Sequence, residues 1–211
     1  EAVACLKKIN VRSIAFSKKY PIAELHWLIA DKTGSITAEP TREGLKLYKN
    51  PVGVLTNNPP FEMQMLTLSG FMHLSAKPPK NTFAKGVKLR SYSRGMGAVG
   101  LPGDLSSPSR FVRAAFVKCN SVSSERETDS VGQFFHILGA VEQQRGCCVL
   151  ENGETDITAY TSCCNADRGI YYYTTYGNRQ ISAVDMRKEN LGSAELIHYP
   201  LVSEEQIKFQ N

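Results

Sequence analysis

Two stretches of this sequence set polar side chains where they could do chemistry. In Val54-Leu55-Thr56-Asn57-Asn58-Pro59-Pro60, a pair of amides stands at the mouth of a strand pattern that prolines cut off. An Asn there can aim its side-chain N–H at an oxyanion forming on a carbonyl, as acyl transfer requires. An Asn pair also caps turns, and the residue types alone leave both readings open. The second stretch is Gly103-Asp104-Leu105-Ser106-Ser107-Pro108-Ser109-Arg110-Phe111. It puts Arg110 in the first turn of a helix, where the dipole does not favour a cation. Such a charge points to a specific partner or simply faces solvent.

Other motifs carry less. Gly95-Met96-Gly97-Ala98-Val99-Gly100 fits G-x-G-x-x-G, but polar residues precede it and Leu101-Pro102-Gly103 blocks the helix that a nucleotide site needs. A glycine-rich turn is expected. The four histidines are scattered, and His136 sits among Phe134, Phe135 and Leu138, so it is expected in the core. Six cysteines include the adjacent pairs Cys147–Cys148 and Cys163–Cys164, which do not have zinc-site spacing. Reduced thiols in the cytoplasm are the default expectation, with no metal. The net charge of +5 comes from scattered Lys and Arg, without the basic run expected of a nucleic-acid binder. No stretch reaches the roughly 18 apolar residues of a membrane span. The opening EAVACLKKI is too short and too charged for a signal peptide.

These residues need elements to position them. With 211 residues, 42% hydrophobic and 21% charged, the chain can build one sizeable core, and a single domain over residues 1–211 is expected. Ala2, Val3, Leu6 and Ile9 have helical spacing. Strands are expected at His26–Ala30, Ser35–Glu39, Leu45–Tyr48 and 52–55, joined by turns at 31–34 and 40–44. Ser106-Ser107-Pro108 opens a helix near 108–122, and a second helix runs from Ser130 to Gln144 with Val131, Phe134, Phe135, Leu138 and Val141 inward. Strands return at Thr155–Ser162, Ile170–Tyr176 and Gln180–Met186. This order indicates an α+β fold with antiparallel sheets.

Taken together, LHWLIADKTGSI, NPVGVLTNNPPFEMQ, GMGAVGLPGDLSSPSRFVRAAF, SVGQFFHILGAVEQQRG, YTSCCNADRGIYYYTTY and AVDM resemble the choloylglycine hydrolase family, over nearly the whole chain and in the family's order. The wording of NNP and GLPGDLSSPSRF is closer to its bile salt hydrolases than to its penicillin V acylases. The resemblance implies an N-terminal-nucleophile (Ntn) hydrolase with an αββα sandwich of two antiparallel sheets between helices, here incomplete at the N-terminus. In such enzymes a processed N-terminal cysteine attacks an amide and its own α-amino group serves as base. Asn57 would help hold the substrate's carbonyl and amide. Arg110 would lie beside the nucleophile and favour its thiolate. Within the loop Phe16–Leu25, Tyr20, Ile22 and Leu25 are candidate contacts for an apolar steroid pocket. The expected substrate is a glycine- or taurine-conjugated bile acid, with no cofactor and with assembly as a homo-tetramer. The nucleophile is expected on a segment preceding Glu1. Cys5 lies in a helical pattern without the family's following Thr and is expected in the core.

Overall fold

A computed structural model describes residues 1–23 and 25–211. The chain divides into two compact units, Glu1–Asn120 and Ser121–Asn211. Each contains helices and one antiparallel three-stranded sheet, so the fold is α+β as expected. No described helix is long and apolar enough to cross a membrane.

In the first unit a short helix α1 (Ala2–Leu6) precedes strands β1 (Trp27–Asp31), β2 (Gly34–Thr41) and β3 (Gly44–Lys49), which pair in sequence order. Two tight turns set the register, pairing Asp31 with Gly34 and Thr41 with Gly44. At the first, the Asp31 carboxylate accepts from the Thr33 amide and hydroxyl at 2.7 and 2.6 Å. Those bonds, the hydroxyl's foremost, hold the carboxyl below its ordinary range. Thr37, Ala38 and Glu39 are consecutive and all buried, so β2 is covered on both faces.

Two differences from expectation shape this unit. Residues 52–55 are not a strand. The buried Asn50 amide takes over their backbone groups, accepting from Gly53 N at 2.8 Å and donating to Val54 O at 2.8 Å. Gly53 turns the chain there with φ +59°. Directly after Pro60 a helix α2 (Phe61–Ser69) begins that the proline pair had masked. Its first N–H, Phe61 N, points between both oxygens of the buried Glu39 carboxylate at 3.1 Å, where the helix dipole favours negative charge. Helix α3 (Ser107–Asn120) starts within a residue of expectation and packs against α2, with the Phe61 and Phe111 rings edge to face at 6.1 Å. Phe111, in that interface, and its neighbour Val112 are both fully buried.

The glycine-rich stretch is a turn, with a 3-10 turn at Met96–Ala98. Gly97 O accepts from Ser75 N at 2.8 Å, and a Cβ on Gly97 would lie 2.0 Å from Lys77 O. Close backbone approach therefore explains this glycine. Cys5 is exposed rather than in the core, because the five-residue α1 buries none of its residues.

The second unit holds helix α4 (Glu127–Gly139) and strands β4 (Tyr160–Asn165), β5 (Ile170–Thr175) and β6 (Asn178–Asp185), again paired in sequence order. Helix α4 starts earlier than Ser130, with Glu127 and Asp129 suiting the dipole in its first turn. Glu127 also ties the helix to the sheet, taking hydrogen bonds from Asn165 Nδ2 at 2.6 Å and Tyr172 OH at 2.9 Å and pairing with Arg168. Strand β4 starts later than Thr155, because Thr158 instead bonds with Gln143 in both directions at 3.1 and 2.9 Å. Phe134 and His136 are exposed, contrary to expectation. Val131 is the one fully turned in on this helix, which packs on β4 along a narrow stripe.

Candidate active site

The loop carrying Asn57 has no regular structure, yet buried side chains hold it at many points. Asn50, 2% exposed, anchors its entry and also donates to Thr37 Oγ1 of β2 at 3.0 Å. Lys118 of α3 donates to Val52 O at 2.8 Å. Gln64 of α2, fully buried, donates to Asn57 O at 2.5 Å and Pro59 O at 2.8 Å, on either side of the cis Asn58–Pro59 peptide. Thr56 Oγ1 lies 3.2 Å from Gln64 Oε1 and 3.0 Å from Ser107 O, and accepts from Ser107 Oγ at 2.9 Å. The end of the Asn57 loop is thereby bonded to the first residue of α3.

That first turn of α3 carries Arg110. Its N–H makes the opening helical bond to Ser106 O at 2.9 Å. Just upstream, Asp104 accepts from Ser106 N at 3.0 Å and Ser109 Oγ at 2.5 Å. Bonds from Ser106 and then Ser109 pull its carboxyl down to about 2. The Arg110 guanidinium donates through Nη1 to Leu105 O at 2.6 Å and through Nη2 to Asn57 Oδ1 at 2.5 Å. The two clusters that stand far apart in the sequence therefore meet.

This contact decides which way the Asn57 amide faces. A guanidinium offers only donors, so Asn57 must turn its oxygen toward Arg110 and its NH2 the other way. Asn57 is exposed, and among the described residues its Nδ2 has no hydrogen-bond partner. The result is a pair of N–H donors turned outward, held in place by a cation. Arg110 sits against the helix dipole because its charge is satisfied by a carbonyl and an amide oxygen. Such a donor is suited to stabilising negative charge on a carbonyl oxygen.

Tyr20, Ile22 and Leu25 are on the segment before β1 and are 55%, 57% and 56% exposed. Their described contacts are local: Tyr20 N donates to Ser17 Oγ at 3.2 Å, and its ring lies 6.3 Å from that of Phe16. Glu24, within the same loop, is outside the described residues. Cys5 cannot serve as an N-terminal nucleophile in this chain, since its nitrogen is a helix amide that donates to Glu1 O at 3.2 Å. Sequence reasoning missed Gln64, Glu39 and Asn50. The available signal for Gln64 was a lone amide in the otherwise apolar run Met63–Leu66.

Residues 1–199 match the linear amide C-N hydrolases of the choloylglycine hydrolase family. This chain belongs to that family. It is 56% identical over 201 residues to a bile salt hydrolase/transferase of Lactiplantibacillus plantarum, covering 95% of this chain and 62% of that protein. With a bile salt hydrolase/transferase of Clostridium perfringens it shares 39% identity, over 94% of this chain and 61% of that one. The chain thus spans a little under two thirds of the length of these relatives. The crystal structure of a variant of the Clostridium perfringens conjugated bile acid hydrolase superposes on all of this chain and 64% of its own, with a TM-score of 0.88 and 38% identity. Penicillin V acylase from Agrobacterium tumefaciens superposes on 89% of this chain and 51% of its own, with a TM-score of 0.63 and 20% identity. The latter likeness speaks for the fold alone. Both structures agree with the Ntn-hydrolase type of α+β fold expected for a choloylglycine hydrolase.

Proposed function

We propose that the full-length protein hydrolyses the amide joining a bile acid to glycine or taurine, and that residues 1–211 supply the oxyanion side of the site. The observation that carries this reading is the Arg110–Asn57 bond, which turns the Asn57 NH2 outward. A cysteine thiolate from outside these 211 residues attacks the substrate carbonyl carbon and forms a tetrahedral oxyanion. Asn57 Nδ2 donates to that oxygen. The C–N bond then breaks, the amine leaves with the proton taken from the thiol, and water hydrolyses the thioester to the free bile acid. Arg110 has two effects: it orients Asn57, and its charge lowers the pKa of a thiol beside it.

In this reading both units form part of one choloylglycine hydrolase domain. Tyr20, Ile22 and Leu25 contribute to the steroid pocket, and the protein is a cytoplasmic homo-tetramer. The relatives' names support the substrate class. The test is to measure initial rates of the full-length protein on glycocholate, taurocholate and penicillin V. Faster release of glycine or taurine is expected. A clear preference for penicillin V would overturn the bile salt assignment.

A further inference from the structure

We propose that Gln64 is a positioning residue for this reaction: it holds the main chain on both sides of Asn58 and so sets the angle at which the Asn57 amide meets Arg110. The inference rests on the oxyanion reading of Asn57. Gln64 is fully buried, and an amide in such a place is costly unless its hydrogen bonds are made. All of its described bonds go to one loop. One N–H reaches Asn57 O at 2.5 Å, the other reaches Pro59 O at 2.8 Å, and Oε1 lies 3.2 Å from the Thr56 hydroxyl. If the residue only filled space, a Leu or Met would suit the apolar run Met63–Leu66 better. The same Thr56 hydroxyl contacts Ser107 O and Ser107 Oγ, so Gln64 and the α3 turn that carries Arg110 share one tie. The base of α2 is fixed in turn by Phe61 N on the buried Glu39 carboxylate, which lies 3.1 Å from His26 Nδ1. Gln64 is therefore a rigid post between the sheet and the loop. Without it, the loop loses the bond that fixes the Asn57 backbone and the one that fixes Pro59 two residues on.

The test is a double-mutant cycle in the full-length protein, read as kcat and KM for glycocholate. Removing an oxyanion donor typically costs about 10²–10³-fold in kcat, and Asn57→Ala should fall in that range. Gln64→Leu should lower kcat by roughly 10- to 100-fold, a part of the same loss, with KM within about twofold. Added to Asn57→Ala, Gln64→Leu should cost no further kcat, because the group it positions is gone. An equal additional loss in that background would mean a general structural role and would overturn the proposal. If Asn57→Ala impairs turnover and Gln64→Leu does not, the positioning role falls and the oxyanion reading stands. If Asn57→Ala leaves kcat unchanged, the oxyanion reading falls and takes this inference with it. Should Gln64→Leu prove insoluble, Gln64→Glu keeps the shape but offers no donor when ionised. Burial against two carbonyl oxygens raises the pKa of the introduced carboxyl, so the variant's kcat relative to wild type should fall as pH rises and that carboxyl loses its proton. A wild-type pH profile for that variant would overturn the proposal.

Discussion

Residues 16–23 and residues 50–60 are both irregular stretches of the first unit, and they differ in what holds them. The first has a hydrogen bond from Tyr20 N to Ser17 Oγ and an aromatic contact between its own residues, and its large apolar side chains are exposed, Phe16 by 90%. The second is pinned by three buried or half-buried polar side chains, Asn50, Gln64 and Thr56, that reach it from the end of β3, from α2 and from the loop itself. Loss of regular structure does not imply loss of precision. Where buried side-chain amides replace the backbone ladder, a loop can hold a side chain as accurately as a strand does. Asn57 stands on such a loop, whereas Tyr20, Ile22 and Leu25 do not.

The contrast should be largest in stability. Phe111 fills the α2–α3 interface beneath the pinned loop, and Phe111→Ala should destabilise the full-length protein by about 3–5 kcal/mol. Phe16→Ala should stay within about 0.5 kcal/mol of wild type. Urea unfolding compares the two, and similar losses would mean that Phe16 is packed more firmly than its exposure indicates. In turnover, Arg110→Ala should lower kcat by about 10²–10³-fold, since Asn57 is released to rotate. The pKa of the reactive thiol, read by alkylation against pH, should rise at the same time. Arg110→Lys should not restore turnover, because an ammonium cannot bond Leu105 O and Asn57 Oδ1 with one planar fork. Unchanged turnover and unchanged thiol reactivity would make Arg110 a surface charge.

For the exposed loop a smaller and different effect is expected. Tyr20→Ser and Leu25→Ala should raise KM for conjugated bile acids by up to roughly tenfold with kcat little changed, as for lost apolar contact with substrate. If neither moves KM, these residues are no part of the pocket. The smallest effect concerns Asp104, which is exposed. Its carboxyl is lowered from 3.8 to about 2 by Ser106 and Ser109. A depressed folded pKa contributes stability that is complete above the unfolded value and is lost as pH falls through the folded one. Thermal melting should therefore show a slight extra loss between about pH 4 and pH 2 that Asp104→Asn abolishes. A loss in that window that survives the substitution would place its origin elsewhere.

Local pattern determined much of this. Alternation and turn residues placed β1 to β3 within a residue or two, because a hairpin is specified by neighbours in the chain. Ser106-Ser107-Pro108 located the start of α3 for the same reason. The wording around Asn57 and Arg110 pointed to the family, and the family match agrees. What sequence alone could not decide depends on contacts between distant residues. Asn57 and Arg110 are 53 positions apart, and only packing of α2 on α3 puts the guanidinium against the amide oxygen. The strand expected at 52–55 was lost to the Asn50 side chain, and α2 was hidden behind prolines whose helix is capped by Glu39, 22 residues upstream of Phe61. His136 and Phe134 read as core on spacing alone but are exposed, because which stripe of a helix is covered depends on what packs against it. Periodicity is a property of the segment, whereas burial and the direction of a side-chain amide belong to its neighbours.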